Sequence, residues 1–148
     1  MRIALGFQTK IDAEATLAGQ PLRLIRLMVQ VRLGTPGGWS RSRTAILDTG
    51  NPVSIIPHSV WRELALPRTP GLRRRLRGIG ASDQIAVSGM LSRVRILFYD
   101  DRNVSAPVDM RAFLLDDDAA PLLIGFEDIL TQTVLHCDYA SSLAYLDL

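Results

Sequence analysis

The sequence predicts an all-β single domain that closes as a sandwich or barrel. Three observations predict it. The chain has 148 residues, the length of one ordinary domain. Short apolar or β-branched runs recur along it, bounded by Gly, Pro, Asp and Asn. No long amphipathic helical pattern separates these runs, which argues against alternating α/β architecture.

The elements follow in order. Residues 1–26 are an N-terminal arm or strand without an assigned role, ahead of a domain over residues 27–148. From Leu27 to Leu33 apolar residues alternate, as in a half-buried strand. Gly34-Thr35-Pro36-Gly37-Gly38 is a turn, and Arg43-Thr44-Ala45-Ile46-Leu47 returns as a strand ending at Asp48. Thr49-Gly50-Asn51-Pro52 is a loop. Residues 53–56 form a short β-branched run stopped by Pro57, and residues 59–64 have room for one or two helical turns. Residues 68–77 read as an exposed basic connector. Residues 85–87 and 90–99 read as strands around Ser88-Gly89, and residues 100–107 as a polar turn. Residues 108–115 and 122–124 are strands, 127–132 a helix, and 134–137 and 143–148 the closing strands.

Composition narrows the function classes. The net charge is only +2, and Lys10 is the one lysine beside sixteen arginines. Arg68, Arg73, Arg74, Arg75 and Arg77 form a basic cluster, read as a solvated face rather than an anion site. The cluster lacks the interleaved aromatics of a single-strand nucleic-acid platform, so a nucleic-acid partner is disfavoured. Cys137 stands alone, so no disulfide forms within one chain. No apolar run approaches the ~18 residues of a membrane helix, and the apolar start is too short for a signal peptide. A soluble chain with no membrane partner is expected, and a cytoplasmic location is favoured.

The segment that carries chemistry is Ala45-Ile46-Leu47-Asp48-Thr49-Gly50. An apolar strand delivers a carboxylate into a loop whose next residues are a hydroxyl and a glycine. Such an aspartate is costly to ionise unless something satisfies it. Gly50 lets the backbone approach and donate N–H bonds, and Thr49 can lock the loop. Taken alone, Asp-Thr-Gly also fits a plain turn with an Asx-type cap.

The ordered set of three motifs resembles the retropepsin-like aspartic protease family, in its single-domain cellular and bacterial form. The first is Ala45 to Gly50 with Val53-Ser54-Ile55-Ile56 after it. The second is Arg77-Gly78-Ile79-Gly80-Ala81, and the third is Leu122-Leu123-Ile124-Gly125. The resemblance runs from about Leu27 to the C-terminus. It implies an all-β closed barrel with one short helix, active as a two-fold homodimer. It implies that Asp48 is catalytic, with Thr49 and Gly50 in support and Thr49 bonding across the interface. Asn51 would contact the substrate or the dyad, and Gly78, Ile79 and Gly80 would form the tip of a flap. A polypeptide would bind in extended form, with no metal or organic cofactor. The chain holds one such motif, so a working pair of carboxylates needs Asp48 of a second copy.

The sequence departs from the family at several places, among them one extra residue after Gly125 and terminal strands that do not match those of the viral dimer interface. Asn51 stands where Ala or Ser is usual. Pro52 and Phe126 stand where viral members carry an Asp and an Arg, so both halves of that ion pair are absent together. A non-catalytic dimerisation or peptide-binding module of the same fold is the alternative reading. The remaining reactive residue types have plain explanations. His58 reads as a surface histidine, and His136 and Cys137 point to opposite faces of a strand and make no zinc set. Ser54 and Ser88 lack a nucleophile signature, and Trp39 and Trp61 suit packing.

Overall fold

The computed structural model describes residues 1–66, 73–76 and 87–148. The chain opens with β1 (Arg2–Ala4), β2 (Gly6–Ile11) and α1 (Ala13–Leu17). β3 (Arg23–Thr35) is followed by β4 (Gly38–Trp39) and β5 (Arg43–Leu47), both of which pair with it antiparallel. β6 (Ser54–Ile56) passes through Pro57 into α2 (His58–Glu63). β7 (Arg73–Leu76), β8 (Val87–Tyr99) and β9 (Val108–Leu115) follow. β10 (Leu123–Ile124), a 3-10 turn (Leu130–Gln132), β11 (Val134–Asp138) and β12 (Leu143–Asp147) complete the chain.

The main sheet closes on itself. Its ladder runs from β3 through β5, β10, β6, β9 and β8, and returns to β3 where Val31 and Leu33 pair with Phe98 and Ile96. Closure leaves these six strands without free edges along the seam, so backbone groups are satisfied inside the ladder. β5 with β10 and β6 with β9 are parallel pairs, and the other barrel pairs are antiparallel. β2 adds to the outer edge of β3, alongside its first half. A second sheet of three strands is ordered β1-β12-β11.

The alternation read in the sequence decides which face turns inward. Leu27, Val29, Val31 and Leu33 of β3 are buried and meet Val94, Ile96 and Phe98 of β8 in one core. Ile3 of β1 and Leu146 of β12 join the same core, which ties the terminal sheet to the barrel. α2 is held by the Trp61 indole, whose Nε1 donates to the Leu115 carbonyl at 2.7 Å. Among the described residues no helix is long and apolar enough to cross a membrane.

Four local expectations are corrected. Ser88-Gly89 does not divide two strands, since β8 runs unbroken from Val87 to Tyr99. Gly89 lies inside it, near its start, where an added Cβ would lie 2.3 Å from the Leu114 carbonyl oxygen of β9. Of the basic connector, Arg73–Leu76 is a strand paired with Val87 to Met90, while residues 68–72 and 77 lie outside the described residues. The expected helix over 127–132 is a turn followed by a single 3-10 turn, and Asp128 at φ 67° interrupts any helical run. Finally, α1 was not expected. Asp12 caps it, its Oδ1 accepting the Ala15 N–H at 2.9 Å.

Candidate active site

Asp48 stands at the end of β5, beside the end of β10. The two strands run parallel with Leu47 opposite Ile124. The Asp48 amide donates to the Ile124 carbonyl at 2.9 Å, so the ladder extends to the aspartate itself. Two loops leave this point and interlock. Phe126 N–H donates to the Asn51 carbonyl at 2.8 Å, and Glu127 N–H to the Pro52 carbonyl at 3.0 Å.

The crossing is tight enough to dictate residue types. An added Cβ on Gly125 would lie 2.4 Å from the Val53 carbonyl carbon and 2.8 Å from the Ser54 amide nitrogen. Only glycine fits there. The Gly125 amide is buried by this contact and donates to Ser54 Oγ at 3.1 Å. Ser54 is fully buried and serves as an acceptor inside the crossing, in line with its structural reading.

The carboxylate is half-buried at the tip of this support. Its Oδ1 accepts the Gly50 N–H at 3.0 Å, which fixes the rotation of the carboxyl plane. Thr49 and Gly50 are exposed. Asn51 is buried, and its Oδ1 turns back to the Val53 amide at 3.4 Å while its own amide faces the Asp48 carbonyl at 3.4 Å. The structure therefore brings Asp48, Thr49, Gly50 and Asn51 into one loop. Gly78, Ile79 and Gly80 lie outside the described residues, in the segment joining the antiparallel strands β7 and β8.

Asp48 faces a cleft of about 400 Å³, whose other walls include Ile25, Arg26, Leu135 and Tyr139. These four were not singled out in the sequence. They come from β3, β11 and the turn after β11, and nothing local marks them as neighbours of Asp48. Among the described residues Asp48 is the one carboxylate lining this cleft.

Several other titratable groups have partners away from the cleft. Asp128 accepts from the Arg111 side chain and amide at 2.8 Å, and the Arg111 guanidinium holds its carboxyl below the ordinary range. Asp100 is held down first by the Ala4 amide and then by the Arg102 amide. His58 packs edge-on against Trp61, and His136 stacks on Tyr145 at 4.4 Å. Among the described residues no cluster of three His, Cys, Asp or Glu side chains is arranged to hold a metal.

No protein-family model matches the chain, and no curated protein matches it. Among solved structures it is similar to a retropepsin-like aspartic protease from Rickettsia conorii, with a TM-score of 0.51 and 10% sequence identity. The match covers 96% of this chain and 92% of that one. At this identity the likeness is one of fold, and the fold is a mostly β barrel of the retropepsin-like type.

Proposed function

We propose that this chain is an aspartic endopeptidase that works as a homodimer, with Asp48 of each copy forming the catalytic pair. The observation that carries the reading is the support under Asp48. Two interlocked loops hold one half-buried carboxylate against a cleft that, among the described residues, has no other carboxylate in its lining. A plain Asx turn has no need of that crossing. The similarity in fold to a retropepsin-like protease points the same way.

The chemistry follows from charge. Two carboxylates ~3 Å apart resist double ionisation, so the pair holds one proton. The ionised member takes a proton from a bound water, and the protonated member donates to the scissile carbonyl oxygen. The water oxygen adds to the carbonyl carbon, and the carboxyl that took the water's proton passes it to the nitrogen as the C–N bond breaks and the amine leaves. Gly50 and Thr49 keep the carboxyl plane aligned, with Thr49 reaching the partner loop. Asn51 acts by stiffening the loop and lies near the substrate path. The segment containing Gly78, Ile79 and Gly80 covers an extended peptide, which adds to the sheet as a strand.

The test is cleavage of a peptide library from about pH 3.5 to 7, wild type beside Asp48→Asn, with a pepstatin-type inhibitor. Cleavage that disappears in the Asn variant and under the inhibitor supports the protease. A dimeric wild type that cleaves nothing turns the reading to a peptide-binding module.

A further inference from the structure

We infer that the hairpin of residues 6–26 is a docking arm for a second copy of this chain. The inference rests on reading Asp48 as half of a two-fold pair.

Strand direction fixes where the arm points. β3 is antiparallel to β5 with Leu27 opposite Leu47, so Arg26 is level with Asp48 and residues 23–25 continue past it. β2 stays paired with them as far as Ile11 opposite Arg23. At ~3.3 Å per residue the hairpin overhangs the end of β5 by roughly 13 Å before α1 begins.

Little of its own chain covers this overhang. Ile11 is 68% exposed, Leu17 89% and Leu22 51%, and α1 buries no residue. Leu24 and Ile25 are each 43% exposed. An apolar hairpin held out in this way is an interaction surface. Its position names the partner. A two-fold axis that sets one Asp48 against its mate passes the end of the barrel from which the arm projects. Each arm then lies against the other protomer, and an axis perpendicular to the arms sets the tip of one against the root of the other.

The charges are arranged for that contact. Residues 12–22 at the tip contain Asp12 and Glu14 and no cation. The two strands contain Lys10, Arg23 and Arg26 and no acid. None of these five takes part in an ion pair among the described residues. The size also fits: residues 6–26 are 21 positions, against roughly 20–30 per side in a standard interface. Ile25 and Arg26 belong both to the arm and to the Asp48 cleft, so docking would complete the cleft wall.

The experiment is sedimentation of the purified chain across a concentration series, with peptide cleavage read at the same concentrations. Wild type is compared with Ile11→Asp/Leu17→Asp, Glu14→Arg, and Glu14→Arg/Arg23→Glu. All these positions are exposed, and circular dichroism checks the fold. The wild type is expected to dimerise. The apolar double variant should raise the dissociation constant at least about 30-fold and recover cleavage as its concentration is raised. Glu14→Arg should weaken the dimer and the added Arg23→Glu should restore part of it. A wild type that stays monomeric, or variants that dimerise as tightly as wild type, would overturn the inference. So would variants with normal dimers and a raised KM, which would assign the arm to the peptide. A dimer that depends on the arm yet cleaves nothing supports the arm and overturns the protease.

Discussion

The amide of Gly125 and the hydroxyl of Ser54 meet at 3.1 Å across 71 positions of sequence. Around that bond the loop bearing Asp48 and the loop after β10 pass through each other's hydrogen-bonding groups. The aspartate is thus placed by two distant segments acting together, and its position is no better than their crossing.

Gly125→Ala should damage the protein more than any surface change. The new methyl would sit 2.4 Å from the Val53 carbonyl carbon, against backbone that has nowhere to go. A loss of ~3 kcal/mol or more, or failure to fold, is expected from overpacking of this kind. Chemical denaturation of the variant beside wild type gives the answer, and equal midpoints would contradict the crossing.

Ser54→Ala should remove an acceptor without adding bulk. The Gly125 amide would then be buried without its partner, at a cost of about 1–3 kcal/mol. Activity should fall further than stability alone explains, since the Asp48 loop loses its brace. Comparing kcat with the denaturation midpoint separates the two effects.

Asp48→Asn should leave folding stability within ~0.5 kcal/mol of wild type. The carboxamide oxygen keeps the role of accepting the Gly50 N–H, and the site is only half-buried. Thermal melts of the two proteins should overlap. A large drop would mean that Asp48 is needed for architecture rather than chemistry.

Acid should destabilise the fold from below about pH 4, where carboxyl groups take up protons in the unfolded chain. Asp128, held down by the Arg111 side chain, and Asp100, held down by the Ala4 amide, both have depressed folded values. A depressed carboxyl stabilises fully above its unfolded pKa, and that contribution is lost as pH falls through its folded pKa. Arg111→Gln should lower stability at neutral pH and flatten its decline in acid. Denaturation midpoints between about pH 2 and 6 would show both; an unchanged slope would remove Arg111 from the account.

Local pattern served well where a strand has one buried face. The alternation at Leu27, Val29, Val31 and Leu33 and the β-branched end at Ala45-Ile46-Leu47 are local facts, and both strands are present. Asp48, Thr49, Gly50 and Asn51 were legible as a loop for the same reason. Gly89 misled because a glycine serving close strand approach looks the same in sequence as a turn glycine. Arg73 to Arg75 misled because charge suggests a connector, whereas an exposed strand takes long cationic side chains readily. The α1 start is readable in Asp12 ahead of Ala13-Glu14-Ala15, but a helix of five residues is too short to show an apolar period. The cleft walls at Ile25, Arg26, Leu135 and Tyr139 depend on long-range pairing, which no window of sequence displays.

The terminal sheet bears on how the protein is born. Arg2 pairs with Asp147 and Ile3 with Leu146, so β1 is made long before β12, the strand it pairs with. Ile3 is wholly buried once that pairing exists. Throughout synthesis it is an apolar side chain waiting for its neighbour, with the entire barrel to be translated in between. Closing so long a loop is slow. The nascent chain is therefore exposed to mispairing and to holding chaperones until β12 emerges, and sealing of the core is timed by the end of translation of this segment.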